Sequence, residues 1–188
     1  MTVSPQAIGR LAALGLLGGI IQLTTVSQLS IFGVPADLSP LLVASVGFLC
    51  GSLTGAVFGF CLGLFVDTVL LQTLGVNSLV FTAVGYGAGR VRELRDPAHT
   101  LAPVVICAAA TAISAIGFSL LQFLLGVDAP LSLRLLRQIL MTVVLNTLLA
   151  LPVYAICRRV LLPYLPDDPR RRRRRAYTTG GLSPLSRA

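Results

Sequence analysis

Glycine recurs at every fourth position through residues 51–67, GSLTGAVFGFCLGLFVD, at Gly51, Gly55, Gly59 and Gly63, and the next step of four falls on Asp67. A step of four overshoots a helical turn by about 40°, so the glycines draw one slowly winding stripe along a helix. Leu53, Val57, Phe58, Leu62, Leu64, Phe65 and Val66 cover its other sides. In water this helix would be weak, because each glycine costs about 1 kcal/mol relative to alanine. In a bilayer the same stripe lets a second helix approach closely and gain van der Waals contact. The stretch therefore predicts a membrane helix built for close packing, with one carboxylate near its far end. Gly51, Gly55, Gly59 and Gly63 are the expected seat for a partner's helix, or equally for the second or fourth span of the same chain.

Composition agrees. Apolar residues make up 55% of the 188 residues and charged residues only 12%, about half the usual share in soluble domains. Mean hydropathy is +0.86. The chain has room for several spans of about 20 residues and for no separate soluble domain. It contains no lysine, which excludes a P-loop lysine and a Schiff-base lysine. Cys50, Cys61, Cys107 and Cys157 lie in apolar runs without CxxC spacing and read as small buried hydrophobes. The single histidine, His99, sits in a charged segment, and no ligand set with metal-binding spacing occurs. GYGAG at residues 85–89 lies inside an apolar run and reads as packing glycine, not a dinucleotide loop. No cofactor and no enzymatic activity are expected.

Hydropathy and breakers divide the chain into a polytopic membrane domain, residues 1–165, and a disordered arginine-rich tail, residues 166–188. Six spans are expected at about 11–31, 38–50, 52–71, 76–89, 101–125 and 136–157, forming an all-α transmembrane bundle. The first is a retained helix, since no clear signal-cleavage site follows it. The second is only about 20 Å long, short of the roughly 30 Å hydrocarbon core. A tight helical hairpin near Gly51 joins it to the third. RVRELRDPAH, residues 90–99, is expected to be a solvated loop, and Pro152 to kink the last span.

Orientation follows arginine count. With six spans every arginine except Arg134 and Arg137 falls on one side, so both termini are expected in the cytoplasm. A five-span version, with the second segment re-entrant, would place the N-terminus outside. Asp67 is the polar group of most interest. One reading is an interfacial or helix-packing carboxylate. The other is a contact with a partner or ligand. Within the chain Asp67 is expected to meet Arg134 or Arg137, the basic residues placed on its side, in a polar cluster that Asp37 and Asn77 could join. Arg170, Arg171, Arg172, Arg173, Arg174 and Arg175 read as an electrostatic contact for anionic lipid or for an acidic partner. Nucleic acid is not expected, because aromatics are not interleaved with these charges.

Within residues 36–90 the chain resembles the MreD family of rod shape-determining membrane proteins. The resemblance rests on Asp37 and Leu38 opening the second span, on Gly55-x-x-x-Gly59-Phe60-x-x-Gly63-Leu64-x-x-Asp67, on Leu74-Gly75-x-Asn77-x-Leu79, and on Gly85-Tyr86-x-x-Gly89. It implies a non-enzymatic role in bacterial cell-wall elongation at the cytoplasmic membrane. The implied partners are MreC, a bitopic protein, the actin-like MreB, the elongation transpeptidase and a SEDS-family glycosyltransferase. The family is also similar in fold to the substrate-binding components of energy-coupling-factor vitamin transporters. That similarity keeps a second expectation open, a small-molecule transporter component with an outward cavity of aromatic and polar groups. The chain has no tryptophan, and its polar supply is modest: Gln22, Thr24, Thr25, Asp67, Asn77, Gln122 and Asn146.

Overall fold

The computed structural model describes residues 5–28, 30–31, 34–35, 37–94, 102–126 and 133–161. Six helices account for nearly all of them: α1 (Pro5–Gln28), α2 (Leu38–Cys50), α3 (Ser52–Val69), α4 (Val76–Leu94), α5 (Ala102–Leu124) and α6 (Leu133–Leu161). Between α1 and α2, β1 (Ser30–Ile31) and β2 (Val34–Pro35) pair antiparallel over two residues each. The described residues are thus all-helical apart from this minimal hairpin and short turns.

The shortest helix is the centre. Every residue of α2 from Ser39 to Leu49 is buried, and α2 packs against each of the other five helices. A helix apolar on all sides is stable only where all sides are covered. At about 20 Å, α2 is too short to meet lipid along a full crossing, and its neighbours cover it instead. Asp37 caps its start, the carboxylate accepting from the Ser39 amide at 3.1 Å. Gly51, at φ +101°, ends α2 and begins α3. That left-handed conformation is open to glycine without penalty.

α3 and α4 form the most extensive helix contact in the molecule. Their pairing is antiparallel: Gly55 lies on Gly85, Gly59 on Phe81, Gly63 on Ser78, and Gly89 on Ser52. Gly47 of α2 also lies on Gly85, so three backbones converge there. α5 and α6 pack on each other and flank α2. α1 lies against α2, α3 and α6 with fewer contacts.

Among the described residues, three helical stretches are long and apolar enough to cross a membrane, Ser52–Val69, Ala102–Leu124 and Ile139–Leu161. Large apolar side chains stay exposed along them, among them Val57, Leu64, Ile113, Ile116, Phe123, Val144, Leu148 and Ile156. Apolar patches of that extent are not stable against water in a monomer. They are the faces a helix bundle turns to lipid.

Several bounds differ from those expected. α4 runs on to Leu94, so Arg90, Arg92 and Glu93, assigned to a loop from their charge, lie on its last turns. α1 ends at Gln28, and residues 30–31 are strand where helix was expected. α6 begins at Leu133, which places Arg134 and Arg137 on its first turns. Pro152 lies within a continuous α6. The tail arginines, Arg170 to Arg175 in sequence, lie outside the described residues.

Candidate functional site

Asp67 closes the turn between α3 and α4. It is fully buried. Its Oδ2 accepts from the Gly75 amide at 2.8 Å. Its Oδ1 accepts from Asn77 Nδ2 at 2.8 Å and from the Asn77 amide at 3.4 Å. Asn77 Nδ2 also donates to Gln72 Oε1 at 3.1 Å. The turn itself uses two left-handed residues, Leu71 at φ 51° and Gly75 at φ 97°. Gly75 O accepts the first helical bond, from the Leu79 amide at 2.9 Å. The carboxylate therefore occupies the start of α4, where helix amides lack partners and the macrodipole favours negative charge.

The other end of the same helix pair mirrors this arrangement. Glu93, in the last turn of α4, accepts from the Ser52 amide at 3.1 Å and from Ser52 Oγ at 2.7 Å, capping α3. Those two bonds, and then Arg90 beside it, hold the Glu93 carboxyl below its ordinary value. Arg90 reaches Glu93 at 3.3 Å, the one ion pair among the described residues. Arg92 donates to the Leu49 carbonyl, satisfying the C-terminal end of α2. Each antiparallel helix thus uses a carboxylate in its own last turn to cap the first turn of its neighbour. Glycine contact holds the two backbones close between the caps.

A second polar seam lies where α2 begins. Gln22 Oε1 accepts from the Leu38 amide at 2.7 Å. Asn146 Nδ2 donates to the Asp37 carbonyl at 2.7 Å and to Thr111 Oγ1 at 3.3 Å. Asn146 is fully buried, and its Oδ1 has no hydrogen-bond partner. The seam joins α1, α2, α5 and α6 at one level.

The expected site residues are therefore only partly brought together. Asp67 and Asn77 bond directly. Asp37 belongs to the α2 seam and bonds Ser39 and Asn146. The expected contact of Asp67 with Arg137 is replaced by amide donors. Arg137 is exposed and forms no ion pair among the described residues, and the Arg134 side chain lies outside them. Among the described residues the Asp67 carboxylate takes its hydrogen bonds from nearby N–H groups.

The glycine stripe meets α4 of the same chain. A Cβ at Gly55 would overlap the Gly85 carbonyl, one at Gly59 the Phe81 carbonyl, and one at Gly63 the Ser78 backbone. The seat reserved for a partner's helix is thus filled from within. Gly51 belongs to the turn and faces Glu93. Sequence reading left out Gly47 and Glu93. Gly47 stands four residues before Gly51 and so extends the repeat, but it lies in the preceding span across the expected hairpin turn, and Glu93 was absorbed into a charged run.

A groove of about 520 Å³ separates α1 from α2 and α6. Leu14, Leu17, Ile21, Leu42, Val153 and Ile156 form its walls, and Arg10 and Arg159 stand at one end.

Against this geometry, the family model described as rod shape-determining protein MreD matches residues 11–160. The chain belongs to the MreD family. The match runs from within α1 to the last turn of α6 and so includes part or all of each of the six helices. MreD is a shape-determining membrane family, and the lipid-facing helices here fit that class. No curated protein and no solved structure matches the chain.

Proposed function

We propose that this protein is a non-enzymatic scaffold of the bacterial cell-wall elongation machinery, seated in the cytoplasmic membrane with both termini inside. The observation that carries the reading is the MreD family match across all six helices. The packing supports a scaffold rather than a moving carrier: α2, α3 and α4 are locked by backbone-on-backbone contact, with carboxylate caps at both ends of the α3–α4 pair. An MreC-like bitopic protein is the proposed partner. With the glycine stripe filled, its helix is expected on the exposed apolar faces of α5 and α6. MreB, the elongation transpeptidase and a SEDS-family glycosyltransferase complete the proposed assembly. The tail arginines Arg170, Arg171, Arg172, Arg173, Arg174 and Arg175 are proposed to hold anionic lipid at the inner surface.

The test is a mild-detergent pull-down of the full chain from its native membrane with mass spectrometry of the co-purifying proteins. A bitopic MreC-like protein with wall synthases is the expected result. Recovery of a pair of ATPases with a coupling membrane subunit would replace this reading by a transporter component.

A further inference from the structure

We infer that the groove between α1 and α6 is a binding site for one anionic phospholipid, with the headgroup phosphate between Arg10 and Arg159 and an acyl chain along the apolar walls. The proposal stands on the groove's length, its lining and the placement of its charges, and does not depend on the scaffold reading. From Arg10 to Ile21 along α1 the lining residues cover about 16 Å at 1.5 Å per residue, roughly one leaflet of a 30 Å hydrocarbon core. A partner's transmembrane helix would need a groove running the full crossing. The volume, about 520 Å³, lies in the range of small-ligand sites, about 300–1,000 Å³.

The wall is apolar from Leu14 to Ile21 on α1 and at Val153 and Ile156 on α6, and the arginines stand only at its end. A soluble polar ligand would find few groups to bond inside, whereas an amphiphile with one anionic end matches the lining along its length. Arg10 is positioned at the mouth by a hydrogen bond of one guanidinium N–H to the Val160 carbonyl at 3.3 Å. Arg159 is exposed on the facing helix. Guanidinium groups bind phosphate oxygens with directed, charge-assisted hydrogen bonds, and basic pockets between membrane helices on the cytoplasmic side take anionic headgroups. Gly18 keeps the groove floor tight, since a Cβ there would overlap the Leu42 side chain.

The test uses the full chain in nanodiscs of phosphatidylcholine containing phosphatidylglycerol, with retained lipid read by native mass spectrometry. Wild type is expected to keep phosphatidylglycerol in preference to phosphatidylcholine. Arg10→Gln with Arg159→Gln should lower that preference about tenfold or more. Leu17→Trp, which fills the groove and leaves both arginines, should lower it as well. Arg158→Gln, which neutralises a neighbouring arginine outside the groove lining, should not. Equal retention of the two lipids by wild type would overturn the proposal. So would an unchanged preference in the double variant, or loss of the preference when only residues 170–175 are changed to glutamine. A photocrosslinker at Leu17 that captures a polypeptide in place of lipid would also overturn it.

Discussion

Two glycines on facing helices show what single residues contribute. Gly59 faces the Phe81 carbonyl, and backbone cannot swing aside as a flexible side chain can. Gly59→Ala is therefore expected to destabilise by about 1–3 kcal/mol through overpacking, outweighing the roughly 1 kcal/mol that alanine offers a helix. Gly87, on α4, has open space at its Cβ position, so Gly87→Ala should be neutral or slightly stabilising. Thermal unfolding of both variants in the same detergent separates close packing from general helix propensity. Asp67 invites a similar contrast. Asp67→Ala leaves the Gly75 amide and Asn77 without their acceptor in a buried turn, and is expected to cost about 1–3 kcal/mol. Asp67→Asn keeps one acceptor oxygen and should cost less. If a lone Arg137→Gln change destabilised the protein as much as Asp67→Ala, the capping account would fail.

At the scale of helices, the α3–α4 pair is held by reciprocal caps and a glycine seam. Glu93 caps α3 and is held below its ordinary value of 4.5 chiefly by the Ser52 hydroxyl and amide. A carboxyl lowered in the folded state stabilises only while ionised. Its contribution is fully present above the ordinary value and is lost as pH falls through it toward the lower folded value. Amide hydrogen exchange at the start of α3 is expected to stay slow from neutrality to about pH 5, and to quicken, relative to the intrinsic rate, under stronger acid. In Glu93→Gln the pH-dependent step should vanish. The seam was half legible beforehand. The fourth-residue spacing of Gly55, Gly59 and Gly63 is a local pattern that marks a close-packing face. Its counterpart on α4 combines Gly85 and Gly89 with the backbones of Phe81 and Ser78, and ordinary side chains over an exposed backbone leave no mark in a sequence.

At the scale of the molecule, the bundle has a basic end. Arg10 at the start of α1, Arg90 and Arg92 at the end of α4, and Arg158 and Arg159 at the end of α6 gather there. The Arg10 bond to Val160 and the Phe48–Tyr154 ring contact at 6.1 Å tie these helix ends together. Positive charge is retained on the cytoplasmic side. A reporter fluorescent only in the cytoplasm, fused after Ala188, is therefore expected to fluoresce, and a phosphatase active only outside should stay silent there. Phosphatase activity at that site would reverse the proposed orientation. The groove lies at this same basic end, open between α1 and α6. α1, with fewer packing contacts than the central helices, forms one of its walls.

The sequence by itself determined the class of the molecule and the existence of its helices. Hydropathy, breakers and small-residue spacing act over one or two turns, and each residue there needs only its chain neighbours to be read. It also marked Asp67 and Asn77 as polar groups in an apolar setting. Tertiary structure decided what each of these meets. α2, judged by length a deficient span, became the centre because five helices cover it. The glycine stripe was taken by α4, and Asp67 by the amides of the following turn. The groove between α1 and α6 joins Arg10 to Arg159 across nearly the whole chain. Which surfaces meet is a property of segments far apart in sequence, set by the shapes and backbones that fit together, and no local pattern records it.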